Sequence, residues 1–291
     1  MASEKQTVLI TGCSPGGIGH ALALEFNTQG KCYHVIATAR RLSVIEPLRD
    51  LGMSILPVDV NSTESVNDLK KQVTELTGGK LDYLVNNAGR NYTVPALDVD
   101  IDEVQQTFET NVVGVIRMCQ AFAPLLIEAK GCIVQIGSIA GLIPYVFGSV
   151  YNASKAALHH YSSTLRVELA PFGVRVVTII TGGVKSNIAR VDRTLNPNSI
   201  YMPIEEEYIR RVKHSQEVGM DTKKYAASVV QQVTRPGILA RLFRNRNWVW
   251  EGAKSWLVWF GLTFMPKNFF DYIMTRMFHL WKLRGGKAKA T

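Results

Sequence analysis

Short apolar runs alternate with helix-length segments along most of the chain, and this alternation limits the fold more than any single residue does. The runs "TVLITG", "HVIATA", "SILPVDV", "LDYLVNNAG", "GCIVQIGS" and "VRVVTIITGG" are continuous in Val, Ile and Leu instead of switching between polar and apolar. Strands of that composition are buried on both faces, as in a parallel sheet covered by helices on either side. Helices are expected between them, over about 18–29, 62–76, 101–129 and 150–172. The fold class expected is therefore α/β, a doubly wound parallel sheet in a single domain, and 291 residues suffice for its core. The uncharged stretch 131–154 is long enough for a membrane span, but its Gly, Pro and Ser residues divide it into strand, turn and loop.

The turn after the first strand reads "TGCSPGGIGHALA". Glycines there permit a tight turn, close approach of backbone to a pyrophosphate, and close packing of helix on sheet. The helix starting near Ile18 offers its free N–H groups to phosphates. Placed between a first strand and a first helix, the turn points to a Rossmann-like dinucleotide site. The second strand ends in "ATARRL", so Arg40 and Arg41 stand where an NAD site places an acid for the ribose. Arginine accommodates the extra phosphate of NADP, which favours NADPH/NADP+ as cofactor.

The motif "YNASK" sets Tyr151 and Lys155 four residues apart on an expected helix, hence on one face, and Tyr151 alone of the ten tyrosines has Lys at that spacing. Ser138 closes the strand "CIVQIGS", at the carboxyl edge where open sheets bind ligands. A ketone accepting hydride needs a proton on its oxygen, which a tyrosine can donate, although its ordinary pKa near ~10 is high for the task. A unit positive charge about 4 Å away is worth roughly 4 kcal/mol at an effective dielectric near 20, or about three pKa units. Lys155 is expected to bring Tyr151 toward neutrality in this way, with Ser138 holding the carbonyl.

With these residues in order, residues 7 to about 190 resemble the classical short-chain dehydrogenases/reductases. The turn "TGCSPGGIG" resembles the family's cofactor turn, with Gly12, Gly17 and Gly19 in the glycine roles and Ser14 and Ile18 beside them. The resemblance implies that Asp59 and Val60 of "PVDV" meet the adenine, and that Asn87, Ala88 and Gly89 of "NNAG" support the sheet and the cofactor. It implies a tetrad of Asn111, Ser138, Tyr151 and Lys155, with Asn111 anchoring a water that links Lys155 to solvent. It also implies contacts of Ile180 and Val184 with the nicotinamide. Two departures are evident. The glycine turn carries one extra residue, at Pro15 and Gly16, and Thr181 stands where the family usually has Pro. Within the family the motifs are most similar to the fungal-type NADPH-dependent 1-acyldihydroxyacetone-phosphate reductases. That implies reduction of a lipid ketone; a steroid-like, terpenoid or polyketide ketone is the alternative.

The charge is unevenly placed. Of 33 Lys and Arg, 11 lie after Thr234, against Glu251 and Asp271 alone as acids, which leaves 22 of each sign before. A neutral main body argues against a nucleic-acid partner. All five tryptophans lie after residue 247, and the run between Lys254 and Lys267 is uncharged but shorter than the ~20 residues of a spanning helix. Residues 1–237 are thus expected to be the catalytic domain, with a substrate lid at about 186–225. Residues 238–291 are expected to form a helical extension that lies on a membrane surface or caps the substrate pocket. In the lid, Arg190, Arg193, Arg210 and Arg211 are solvated charges or, for some of them, contacts for a phosphate.

The four cysteines have no metal or disulfide spacing, so reduced thiols and no metal site are expected. The first strand follows the N-terminus at once, so no secretory signal is expected. The expected partners are a hydrophobic small-molecule substrate, a membrane surface and a second copy in a homo-oligomer. The expected location is the cytosolic face of the endoplasmic reticulum or a lipid droplet, with the cytoplasm as alternative.

Overall fold

A computed structural model describes residues 5–28, 32–188, 192–234 and 247–284. Strands β1 (Gln6–Ile10), β2 (Tyr33–Ala39), β3 (Ser54–Pro57), β4 (Tyr83–Asn86), β5 (Cys132–Ile136), β6 (Arg175–Thr181) and β7 (Trp248–Glu251) form one sheet in the order β3-β2-β1-β4-β5-β6-β7. Every adjacent pair is parallel. The helices are α1 (Ile18–Thr28), α2 (Pro47–Asp50), α3 (Thr63–Thr77), α4 (Ile101–Phe108), α5 (Gly114–Ala129), α6 (Ser149–Leu169), α7 (Glu205–Glu217), α8 (Thr222–Thr234), α9 (Ser255–Phe264) and α10 (Phe269–Met277).

The strand pleat sends alternate residues to two cores. Val8, Ile10, Val35, Val85 and Val134 pack with Leu22 and Phe26 of α1 and with Val229 and Val230 of α8. Leu9, Ile36, Leu84 and Ile133 pack with Leu69 of α3, Phe122 of α5 and Leu158 of α6. Each such side chain contributes about 1.5–3 kcal/mol by leaving water, which explains why apolar residues occupy both alternate sets of positions in the runs. Ile101–Ala129 is long and apolar enough to cross a bilayer. Its residues Val115, Met118, Phe122, Leu125 and Leu126 are instead buried beneath the sheet.

Two expectations change here. The helix expected over 101–129 is interrupted by a π segment, Glu109–Val113, where Gly114 N–H bonds to the Glu109 carbonyl five residues back. The C-terminal extension does not divide from the domain at residue 238: β7 pairs with β6 from Thr178↔Trp248 to Thr181↔Glu251. Its aromatic and β-branched side chains suit a strand, and Val249 enters the first core while Trp248 stacks beside His159. Residues 247–251 therefore belong to the sheet, and the extension proper begins with α9.

A third cluster lies beyond the carboxyl edge of the sheet. Ile143 and Phe147 meet Ile204, Tyr208 and Val212 of the lid, and Val258, Met274 and Phe278 of the extension. Lid and extension are thus one cap on one apolar core.

Candidate active site

The glycine turn is built for close contact. Gly12 takes a φ of 75°, and a Cβ on it would lie 3.0 Å from Ala88 Cα. A Cβ on Gly19 would lie 2.4 Å from Asn87 Nδ2 and 2.5 Å from the Gly12 carbonyl, so only glycine lets α1 pack there. Asn87 Nδ2 donates to the Thr11 and Gly12 carbonyls at 2.8 and 3.0 Å, while Thr11 Oγ1 accepts from the N–H groups of Asn87 and Ala88. The "NNAG" segment is in this way clamped to the turn. The extra residue is also accounted for: Asn187 donates from Nδ2 to the Pro15 carbonyl (3.1 Å) and from its backbone N–H to Gly16 (3.2 Å). The bulge is a landing place for the loop that follows β6.

A cavity of about 1000 Å3 runs from this turn along the carboxyl edge of the sheet to the cap. Gly12, Ser14, Gly17, Ile18, Arg40, Asp59, Val60, Asn87, Ala88, Gly89 and Val184 line it, as do Ser138, Tyr151 and Lys155. Four expected residues stand outside the lining, among them Ile180, which is fully buried in β6. Gly19 acts through packing, Arg41 is exposed at the start of the short turn Leu42–Val44, and Asn111 is buried behind the wall. The glycine cradle, the start of α1 and Arg40 fit a phosphorylated dinucleotide at this end.

Asn111 sits in the π segment, a distortion often found at functional sites. Its side chain accepts from Arg90 N–H and donates to the Arg90 carbonyl and to Ser154 Oγ, so it fixes the wall next to Gly89. Arg117 performs a similar service at the adenine end, bonding the Val60 carbonyl and Thr63.

At the centre, α6 carries Tyr151 and Lys155 on one face, and β5 delivers Ser138 opposite them. Lys155 Nζ donates to the Ile136 carbonyl at 2.8 Å, and burial lowers its pKa to about 8. Burial raises the Tyr151 pKa, and the Ser138 hydroxyl and the Arg211 charge oppose that rise. This corrects the sequence expectation. The net direction is upward from the ordinary tyrosine value, with Lys155 Nζ 5.9 Å from the Tyr151 ring centroid. The tyrosine is accordingly held protonated, the state a proton donor requires.

Ser138 has a support that the sequence reading missed. Its backbone N–H donates to His159 Nε2 at 3.1 Å, and its Oγ accepts from Ala140 N–H at 3.1 Å. The imidazole must stay neutral to accept; burial and the Lys155 charge lower its pKa to about 4. The signal was present, because His159 follows Lys155 by one helical turn on the same face. A Cβ on Gly137 would lie 2.4 Å from His159 Nε2, so that glycine leaves the ring its place.

The remaining departure, Thr181, bonds through Oγ1 to Tyr225 OH at 2.7 Å, which ties β6 to α8. Of the lid arginines, Arg190 lies outside the described residues. Arg193 pairs with Glu103 and stacks on Tyr92. Arg210, exposed, bonds the Met277 carbonyl. Arg211 lies in the cavity wall, 8% exposed, with its guanidinium 3.8 Å from the Tyr145 ring centroid.

Comparison with known proteins agrees with this geometry. The profile of the family described as short chain dehydrogenase matches residues 6–196. The chain is 45% identical over 278 residues to short-chain dehydrogenase srdE of Neurospora crassa, covering 95% of this chain and 93% of that protein. It is 40% identical over 267 residues to the NADPH-dependent 1-acyldihydroxyacetone phosphate reductase of Schizosaccharomyces pombe, covering 90% of this chain and 87% of that one. Among solved structures, a short-chain dehydrogenase from Streptomyces avermitilis superposes with a TM-score of 0.75 at 25% identity, over 99% of this chain and 100% of that one. With the glycine turn, the serine and the Tyr151–Lys155 pair all on one cavity edge, the chain belongs to the short-chain dehydrogenase family of oxidoreductases.

Proposed function

We propose that the protein is an NADPH-dependent reductase of a ketone carried on a long-chain lipid, with 1-acyl dihydroxyacetone phosphate as the leading substrate. The observation that carries this reading is the course of the cavity. Beyond Tyr151 its wall is apolar and comes from the cap, through Leu257, Val258, Phe260, Phe270, Ile273 and Met274. An acyl chain needs such a wall, and the 40% identity to the Schizosaccharomyces pombe enzyme supports the choice.

The residues that would hold the cofactor are those of the glycine cradle, Asp59 and Val60, with Arg40 at the 2′-phosphate. Bound there, the reduced nicotinamide supplies the hydride. Tyr151 gives its hydroxyl proton to the carbonyl oxygen, and Ser138 donates a hydrogen bond that fixes that oxygen in place. Lys155, buried against the Ile136 carbonyl, holds the floor of the site and returns a proton toward Tyr151.

We place the enzyme at a membrane surface, on the cytosolic face of the endoplasmic reticulum or a lipid droplet. The support is the outer side of the cap, where Trp256 (64% exposed), Trp259 (45%) and Phe264 (63%) face outward from the helices that line the cavity. The ten-residue α9 is about 15 Å long, too short to span, so this is a helix for the interface.

A second reading is a bulky polycyclic or polyketide ketone, favoured by the breadth of the cavity and by Tyr145, Phe260, Phe269 and Phe270 around it. The test is NADPH oxidation with 1-palmitoyl dihydroxyacetone phosphate in detergent micelles, with NADH in parallel. Turnover with NADPH is expected and NADH should be at least ~10-fold poorer, the worth of one arginine–phosphate contact. Turnover only with steroid-like or polyketide ketones selects the second reading.

A further inference from the structure

We propose that Arg211 is the receptor for an anionic group of the substrate, a phosphate or carboxylate attached within a few bonds of the carbonyl that is reduced. The proposal rests on the reductase reading and names the class of ketone the site takes.

Arg211 is buried in the cavity wall on α7, and its Nε has no hydrogen-bond partner. Among the described residues, the ionisable groups that bear on it are the tyrosines Tyr145, Tyr151 and Tyr208, with no carboxylate among them. Of the other cations in the wall, Arg90 is engaged with Glu103 and Gln106, and Lys155 with the Ile136 carbonyl. A guanidinium taken out of water without a counter-charge is strongly unfavourable, and removing one partner of a buried pair has the same effect. A fold keeps such a group when the missing partner arrives from outside.

The geometry points to what arrives. The Arg211 guanidinium carbon lies 3.8 Å from the Tyr145 ring centroid, a cation–π contact that takes up a face of the group and leaves the N–H fork for a planar or tetrahedral oxyanion. Tyr208 spends its OH as a donor to the Thr93 carbonyl at 3.0 Å and offers no acceptor charge. Arg211 and Tyr151 line the same cavity, so an anion on Arg211 and a carbonyl at Tyr151 would belong to one ligand. Apolar cap residues lie beyond, and the occupant is therefore an amphiphile with its anionic end inward. The sequence pattern concealed this, because Arg210 and Arg211 are adjacent on a polar helix and only one of them is buried.

The test uses full-length protein saturated with NADP+, so that the cofactor's phosphate contacts are already filled. Calorimetric titration with decyl phosphate, 1-decanol and inorganic phosphate is run on wild type, Arg211→Met and Arg211→Lys. Wild type should bind decyl phosphate roughly 10- to 100-fold tighter than decanol, the span of a charge-assisted contact. Arg211→Met should bring the two within about threefold while decanol affinity is unchanged, and Arg211→Lys should fall between. Equal affinities in wild type, a preference surviving in Arg211→Met, or inorganic phosphate binding as tightly as decyl phosphate would each overturn the proposal. Absence of turnover with the acyl ketone phosphate, alongside an intact decyl phosphate preference, would refute that substrate and leave Arg211 as an anion receptor.

Discussion

His159 supports Ser138 from behind, through a hydrogen bond that exists only while the ring is neutral. Its pKa is about 4 in the folded protein against an ordinary 6.5. Protonation is thus resisted by the fold, and this contribution is complete above pH 6.5 and is withdrawn as pH falls from 6.5 toward 4. The shift corresponds to roughly 3 kcal/mol, which a series of denaturant melts between pH 4 and 7 should show and which His159→Leu should abolish. The same variant leaves the Ser138 N–H without its acceptor and should lower kcat about 10-fold with little change in the affinity for NADPH. Tyr151→Phe should lower kcat by at least ~100-fold and retain NADPH binding, read by fluorescence of the bound cofactor. Tyr151, Lys155 and Ser138 were legible in the sequence because helical spacing and a strand end place them without help from the rest of the chain. The charge of Arg211, which opposes the rise of the Tyr151 pKa, was not legible, because it comes from 60 residues away in sequence and no local pattern records it.

The cap is fastened at its far end by one carboxylate. Glu207 on α7 is 4% exposed and accepts from His279 Nδ1 at 2.5 Å and Lys282 Nζ at 2.9 Å. Burial alone would raise its pKa, but those two hydrogen bonds outweigh burial and hold it at about 2. An acid depressed in this way stabilises the fold fully above its ordinary 4.5, and the contribution is lost as pH falls toward 2. Glu207→Gln should loosen residues 278–283, seen as faster amide hydrogen exchange there. The cost should be only about 1 kcal/mol, because His279 and Lys282 are partly solvated. Among the elements, the strands from β1 to β6 were readable because, apart from the edge strand β3, nearly all their residues are buried, which favours runs of Val, Ile and Leu. β7 was not. Its four residues, Trp248–Glu251, sit in an aromatic and basic context, and only pairing with β6 shows that they form a strand. The π segment was hidden as well, since five residues of helical character precede Gly114 either way.

On the scale of the whole molecule, the same two helices form the wall of the cavity and an apolar outer face. Deleting residues 238–291 would be a poor test of the proposed membrane role, because it would strip β7 from the sheet along with the helices. Replacing Trp256, Trp259 and Phe264 together with Ser spares the strand and the inner wall. Binding to vesicles containing anionic lipid should fall at least ~10-fold, measured by flotation, while turnover of a short-chain soluble ketone stays within about twofold. Retained flotation would refute the membrane reading.

The bonds from Asn187 to Pro15 and Gly16 join places 172 residues apart and close the loop after β6 over the glycine turn. A strap closed over the cofactor end of the cavity is expected to give an ordered cycle, in which the dinucleotide enters first and leaves last and the strap opens for its exchange. Oxidised cofactor should therefore compete with reduced cofactor at every ketone concentration. Asn187→Ala should hasten cofactor release, and in stopped-flow traces the steady-state rate should rise while the first-turnover burst keeps its speed.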